Sequence, residues 1–534
     1  MSTASFARAA LAVRLLAWLL APLALLASRP AIAQPPTSWL ADGVPTAQAR
    51  AAIDVLRDAG ARGLRAADYD ADALDRQARA LGARDLAASD TDADVRVRFD
   101  AALTRSMTRF LHDLHAGRAD PGALGFRLPD THGHLDFAAM ARDVSRSTDV
   151  AASIAAAEPP YAGYAALVRV LARYRALAAD ATLRPPNAPS VLVHAGQPLA
   201  DAPALRRLLA ALGDLASASP PLDSTRYDDA LADGVRAFQR RHGLDPDGTL
   251  GPATMAALRV PAARRVRQIE LTLERWRWLP DVPPARYVVV NVPAFRLYAF
   301  EDDPAAARPR LRMNVIVGRA EGHRHTPVFT ATMRDVVFQP YWDVPPSIAR
   351  NELLPRLRRD PDYARRDGFE IVQGGDDDAR RYAVTGATLA RVAAGTLRLR
   401  QRPGDGNALG PVKFVFPNAY NVYLHGTPAR QLFAQTRRDF SHGCIRVEDP
   451  AALAELVLRG QAGWDRAAVD AAMRGGPTRR VAIERPLGVF VLYATVMPGD
   501  DGVVHFYPDI YGHDAALERA LAAGPRRVAD GALP

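Results

Sequence analysis

The sequence is nearly without cysteine and nearly without lysine. One thiol, Cys444, occurs in 534 residues. No intramolecular disulfide can form, so Cys444 is either a small buried apolar side chain or a reactive thiol. Lys413 is the one lysine, so the formal net charge of +9 is carried by arginine, and the abundance of arginine and alanine reads as a GC-rich coding bias rather than as function. Beyond the N-terminus no run is apolar for long enough to span a bilayer. No basic stripe with interleaved aromatics and no nucleic-acid fold motif is present, which argues against DNA or RNA as a partner. What is there is globular, with 49% hydrophobic and 24% charged residues, and too long for one core; roughly three or four domains are expected.

The first 33 residues hold Arg8 and Arg14, the apolar run Leu15 to Ala27, and Ala31-Ile32-Ala33. A positive start, an apolar middle and a small-x-small site make a secretory signal, either cut after Ala33 or kept as a membrane anchor. The bulk of the chain is therefore expected to be exported. A stray thiol is a liability in an oxidising compartment, so its presence there suggests use.

From residue 34 to 185 the texture is helical, with Val95, Phe99, Leu103, Met107, Phe110 and Leu111 at helical spacing and turn signals at Phe126 to Phe137 and Glu158-Pro159-Pro160 before a helix Tyr164 to Leu177. Pro185-Pro186-Asn187-Ala188-Pro189 is a linker. A second unit, 190 to 262, has a helix Tyr227 to His242 ended by Gly243, a loop Asp245 to Pro252 and a short helix from about Ala253. After Pro280 strands dominate: Tyr287 to Val292, Phe295 to Phe300, Met313 to Val317, Tyr420 to Leu424, Val481 to Glu484, Val489 to Val496 and Val503 to Tyr507, then a helix from His513. Residues 346 to 400 read as a charged, helix-like insertion. The expected fold is multidomain α+β, with a mostly-β domain at 284 to 460 and an extension at 461 to 534 packing on it.

Two short motifs carry chemistry. Ser441-His442-Gly443-Cys444-Ile445-Arg446-Val447 surrounds the thiol, and His425-Gly426-Thr427-Pro428 precedes it. Thiolate attack on an amide carbonyl needs an imidazole, an orienter for that imidazole, and donors for the developing oxyanion. His425 ends a predicted strand, a rigid place for a base. Gly443 leaves room for a carbonyl to approach the backbone N–H groups of Gly443 and Cys444, and one such donor is typically worth about 3 kcal/mol of barrier. Two histidines within reach could raise the thiolate fraction, and the mechanism implies a depressed thiol pKa.

With Arg324-His325-Thr326-Pro327 and Tyr341-Trp342-Asp343-Val344-Pro345-Pro346 in support, these motifs resemble the L,D-transpeptidase catalytic domain, the YkuD-like cysteine enzymes of the bacterial cell wall. Phe238-Gln239-Arg240-Arg241-His242-Gly243-Leu244, followed by Asp247-Gly248 and Gly251-Pro252-Ala253-Thr254, resembles the small three-helix peptidoglycan-binding module. The whole mature chain is similar to the large periplasmic, scaffold-containing branch of the family.

The resemblance implies a β-sandwich catalytic domain with a helical cap over the site. It implies Cys444 as nucleophile, His425 as general base, the Gly426 carbonyl as orienter and the Gly443 N–H at the oxyanion. Cys444 would attack the third residue of a donor tetrapeptide stem, release D-Ala, and pass the acyl group to the side-chain amine of a second stem, giving a 3→3 cross-link. It requires no cofactor, takes peptidoglycan stem peptides as partners, leaves partner wall synthases open, and predicts acylation by carbapenems.

Other assignments stay divided. His442, Ser441, Arg446, Tyr423 and Trp342 are candidate substrate-binding residues. His442 suits position-holding more than proton transfer, Ser441 suits loop shaping, Arg446 could hold a substrate carboxylate or pair with Asp449, and Tyr423 suits a packed strand aromatic more than a side chain pointing into the site. His112-x-x-His115, His132-x-His134 and His323-x-His325 have zinc-compatible spacings but no convincing third ligand, so no metal is expected. Asp376-Asp377-Asp378 reads as a solvated loop. Three alternatives remain beside the transpeptidase: an L,D-carboxypeptidase, a lipoprotein-anchoring enzyme using the same thioester, and a non-catalytic wall-binding scaffold.

Overall fold

The computed structural model describes residues 38–83, 90–129, 131–187, 191–216, 225–301, 309–322, 324–360, 362–375, 379–499 and 502–524. The secretory segment, His323 and the acidic run 376–378 lie outside them. Among the described residues no helix is long and apolar enough to cross a membrane.

A small hairpin, β1 (Leu40–Ala41) and β2 (Val44–Pro45), opens a helical domain of α1 (Ala47–Arg57), α2 (Ala71–Gly82), α3 (Asp90–His115), α4 (Phe137–Arg146) and α5 (Val150–Ala156). The periodicity read from Val95 onward holds: Phe99, Leu103, Met107, Phe110 and Leu111 are buried in one core with Trp39, Leu56 and Ile154. Side chains at the helix starts meet the orphan N–H groups there, Thr46, Asp136 and Asp149 each accepting from the residue three positions on. The long helix α6 (Ala162–Ala179) belongs elsewhere. It packs on α10 (Ala262–Trp276) and on a C-terminal hairpin, β16 (Val496–Pro498) and β17 (Val504–Phe506).

Between them sit α7 (Ala202–Leu212), α8 (Asp229–Arg241) and α9 (Pro252–Leu258), with a core of their own around Leu205, Leu231, Val235 and Phe238. The helix begins at 229 rather than 227 because Asp228 is extended and caps it, accepting from Leu231 N–H.

The β region is one closed sheet. Its strands are β3 (Arg286–Asn291), β4 (Arg296–Glu301), β5 (Leu311–Gly318), β6 (Phe329–Phe338), β11 (Val412–Val415), β12 (Leu424–His425), β13 (Asp439–Ser441), β14 (Ile445–Val447) and β15 (Arg479–Leu492). The order is β13-β5-β14-β12-β11-β6-β15-β3-β4, and β4 pairs again with β5, so the sheet closes on itself. This corrects the expected sandwich to a barrel-like sheet, whose core runs through Val288, Leu297, Val315, Met333, Phe414, Leu424 and Ile445. The expected C-terminal extension is also corrected. Arg479–Leu492 is a single strand set between β6 and β3, parallel to β3 and antiparallel to β6 with a register shift between Ala482 and Leu487. Helices α15 (Pro450–Leu458), α16 (Arg466–Arg474) and α17 (His513–Ala522) pack outside.

The insertion is not a helical cap. It is a small α/β layer whose sheet, β7 (Trp342–Asp343), β8 (Phe369–Gln373), β9 (Arg380–Tyr382) and β10 (Arg398–Gln401), has the order β7-β10-β8-β9. Against it lie α11 (Pro346–Ile348), a π-helical turn Ala349–Leu353, α12 (Leu354–Arg359), α13 (Asp362–Arg366) and α14 (Gly386–Ala393), around Leu354, Leu357, Ile371 and Leu399.

Candidate active site

Strand alternation builds the site. Across β11, β12 and β14 the residues Phe414, Leu424 and Ile445 pair in one row and point into the core. The next row, Lys413, His425 and Arg446, therefore lies on the opposite face. Tyr423 shares that face with His425, and Cys444 shares it with Arg446. Ile445 N–H donates to the Tyr423 carbonyl at 3.1 Å, which sets Cys444 beside Tyr423.

His425 is 4% exposed, and its Nδ1 lies 2.6 Å from the Gly426 carbonyl oxygen. Burial first, then the Arg446 charge, pushes its pKa down to about 3, so the imidazole is neutral at pH 7. The Cys444 thiol lies 3.8 Å from the Asn421 carbonyl, and Asn421 holds a left-handed φ of 54°. Burial raises the thiol pKa, opposed by hydrogen bonding with Tyr423 and by the charges of Lys413 and Arg446. The expected depressed thiol is thus corrected: desolvation outweighs the cations, and the resting pair is neutral thiol and neutral imidazole.

The loop before the thiol is tied down. Ser441 Oγ donates to the Cys444 carbonyl at 2.5 Å and accepts from Gly443 N–H at 3.1 Å. Ser441, 2% exposed, is spent on the loop rather than open to substrate. The Gly443 N–H is spent with it, where it was expected to face an oxyanion. Gly443 has φ +118°, a conformation that L side chains rarely adopt. Its carbonyl accepts from Thr326 Oγ1 at 2.8 Å, and Thr326 Oγ1 accepts in turn from Gly318 N–H at 2.8 Å. A Cβ on Gly318 would lie 1.9 Å from the Arg324 carbonyl oxygen, so only glycine fits that crossing. Tyr511 completes the brace: its hydroxyl donates to the Gly318 carbonyl at 2.5 Å and its ring stacks on His325 at 4.0 Å.

His442 faces the insertion. Its Nε2 lies 2.7 Å from Glu352 Oε1 in the π-helical turn, and the same oxygen is 3.0 Å from Arg324. Tyr423 hydrogen bonds with both Cys444 and Trp342, which places both aromatics at the thiol. Lys413 Nζ stands 4.0 Å over the Tyr423 ring. Arg446 has no acidic partner among the described residues, and its Nε is buried without a hydrogen bond. Asp449 instead caps α15, accepting from Ala452 N–H at 2.9 Å.

Sequence reasoning missed Glu352, Lys413 and Asn421, and it met Tyr511 only as part of the run Asp509-Ile510-Tyr511-Gly512, with no role at the site. The rarity of lysine was a usable signal for Lys413; nothing local marked Glu352 or Asn421. A cavity of about 2400 Å³ lies elsewhere, among α6, the 200s helices and the β4 and β5 side of the barrel, lined by Arg169, Arg240, Arg296 and Arg438.

Residues 285–469 match the family described as the L,D-transpeptidase catalytic domain (YkuD), residues 34–171 match a scaffold domain, and residues 200–258 match a "Putative peptidoglycan binding domain". A Haemophilus influenzae protein named "Putative L,D-transpeptidase" is 30% identical over 254 residues, which is 48% of this chain and 49% of that protein. The match thus spans about half the length of the relative. A solved structure of a fused Zn-dependent amidase/peptidase/peptidoglycan-binding domain-containing protein from Clostridium acetobutylicum covers 57% of this chain and 99% of its own at 14% identity, with a TM-score of 0.14.

Proposed function

Because this chain carries a YkuD-type L,D-transpeptidase catalytic domain beside a scaffold and a peptidoglycan-binding-type domain, we propose that it is an exported cysteine L,D-transpeptidase that forms 3→3 cross-links in peptidoglycan. The observation that carries the reading is the row on one sheet face: a thiol on a glycine-turned loop, a carbonyl-anchored neutral imidazole, and an arginine with no acidic partner among the described residues.

The donor stem enters with its terminal carboxylate toward Arg446. His425 takes the thiol proton as sulfur bonds to the carbonyl carbon of the third stem residue. The oxyanion that forms meets the Cys444 N–H. Collapse breaks the amide bond, His425 returns the proton to the leaving D-Ala amine, and a thioester remains. An acceptor amine attacks the thioester, loses its proton to His425, and expels the thiolate. The proton returns to sulfur, so the site ends as it began. Arg446 and Lys413 help in both half-reactions, because each favours the anionic sulfur. The insertion closes over the thiol through Trp342 and Glu352 and supports aminolysis over hydrolysis by keeping water out.

The test is muropeptide and intact-mass analysis of the mature chain with disaccharide-tetrapeptide, beside Cys444→Ala. Cysteine-dependent D-Ala release with 3→3 dimers is expected. Tripeptide without dimers would replace the cross-linking reading with carboxypeptidase chemistry, transfer only to a lysine-bearing peptide would replace it with protein anchoring, and no acyl-enzyme in the intact mass would sink it.

A further inference from the structure

We infer that His115, His132 and Asp281 form a divalent-cation site, suited to Zn²⁺, that clasps the helical domain to the start of the barrel. The three residues are far apart in sequence. His115 ends α3, His132 lies in the segment between α3 and α4, and Asp281 lies between α10 and β3. Their ligand atoms nevertheless all lie within 4.8 Å of one another.

The hydrogen bonds on the far sides of the rings fix what faces inward. His115 Nδ1 is 2.9 Å from the Ala157 carbonyl oxygen, and His132 Nε2 is 3.0 Å from the Arg277 carbonyl oxygen. A carbonyl oxygen only accepts, so these nitrogens carry the hydrogens. In the neutral rings His115 Nε2 and His132 Nδ1 then present lone pairs, and both are aimed at Asp281 Oδ1, at 3.0 and 3.6 Å. Two lone pairs and a carboxylate oxygen converging on one point call for a cation between them. Outward N–H groups held by backbone carbonyls are the support that metal-bound imidazoles use.

The spacing suits zinc. Bonds of about 2.0 Å in a tetrahedron separate ligand atoms by about 3.3 Å, which the two measured separations bracket. Two imidazoles and one carboxylate favour Zn²⁺ over Mg²⁺ or Ca²⁺, which take mostly oxygen. The rings are buried, packed edge to face at 4.9 Å, while Asp281 is 32% exposed and gives the ion an entrance and room for a water as fourth ligand. A bound ion would join the end of α3 to the segment that feeds β3.

The test uses the full mature chain with Cys444→Ala, so that the active-site thiol takes no metal, stripped with a chelator and titrated with Zn²⁺ by calorimetry, with metal content by mass spectrometry. One Zn²⁺ per chain is expected, with a melting temperature about 5 °C above that of the stripped chain. Asp281→Asn and His132→Gln should each weaken binding at least about 100-fold and remove the melting shift. Asp281→Asn alters a half-exposed residue by one atom and keeps the test alive if the buried variant fails to fold. No uptake by a folded chain at about 100 μM Zn²⁺, or uptake unchanged in both variants, would overturn the site. So would a melting temperature that neither chelation nor added Zn²⁺ changes but that Asp281→Asn lowers, which is the behaviour of an ordinary His–Asp contact without an ion.

Discussion

Two histidines sit in the two motifs that stand out in this sequence, and at first they look alike. His242 and His425 are both buried, both set a ring nitrogen against a backbone carbonyl oxygen, at 2.8 Å from Phe238 and 2.6 Å from Gly426, and both are held below the ordinary imidazole pKa chiefly by burial. Their neighbours differ. His242 is sandwiched between Phe238, stacked at 3.8 Å, and Phe506 from the C-terminal hairpin at 5.5 Å.

The rest of the His242 motif is spent in the same way. The Gln239 amide serves Asp247, Thr249, Thr254 and Gly248. Arg241 forks onto Asp214 and reaches the Tyr174 hydroxyl of α6. Around His425, by contrast, an arginine has no acidic partner among the described residues, a thiol is partly exposed, and Asn421 and Gly443 hold unusual backbone angles. A depressed imidazole pKa therefore marks burial, and unspent polar groups beside a reactive atom mark chemistry. Phe238 to His242 works here as a fastener between α6, the 200s helices and the C-terminal hairpin.

The sharpest way to break this contrast is to truncate both histidines. His425→Ala should lower turnover at least about 10³-fold and leave the chain folded. His242→Ala should leave turnover within about twofold and cost about 3 kcal/mol in denaturant unfolding. Comparable losses of turnover in the two would end the distinction.

The second comparison sets a spent polar group against an unspent one. Gln239→Ala should cost about 2–3 kcal/mol of stability, because it strands several partners at once, with activity retained. Arg446→Gln should cost less than about 0.5 kcal/mol, since it removes from a buried place a charge that has no acidic partner among the described residues. Its catalytic efficiency should nonetheless fall about 100-fold, through loss of the carboxylate contact and a higher thiol pKa.

The smallest effect is in pH. With His425 near 3 and the thiol raised, kcat/KM for acylation should stay level from pH 8 to pH 5, where an ordinary histidine would give a limb near 6.5. Both imidazoles bind a proton less readily folded than unfolded, so unfolding free energy should decline as pH drops below about 6.5, and decline less in His242→Gln. Acylation rates and denaturant melts across that range check both statements, and an inflection near 6.5 in the rate would contradict the buried, neutral base.

What the sequence made legible was local. Cys444, His425 and the Gly426 carbonyl come from short motifs on or beside strands, and the α3 face comes from periodicity over several turns. What it hid is brought together by pairing over long separations. Glu352 reaches His442 from ninety residues away, and Tyr511 braces Gly318 from almost two hundred. The sheet of the insertion was masked by charge, because Arg400, a residue type that reads as surface, is buried in β10 with Glu370 beside it. The barrel was masked because two apolar stretches, Val481 to Glu484 and Val489 to Val496, read as separate strands, while the bulge between them keeps one strand continuous.

The place of that strand has a consequence for biosynthesis. β15 is the single bridge between β6 and β3, and Tyr511 lies beyond it. A chain emerging N-terminus first makes its thiol, its imidazole and its arginine before it makes the strand that shuts the barrel and the phenol that braces the thiol's loop. Until about residue 490 has been delivered, β6 and β3 each offer an open edge. The thiol's chemistry is thus timed by the order of synthesis, and an incomplete chain carries every motif residue of the site without the frame that aligns them.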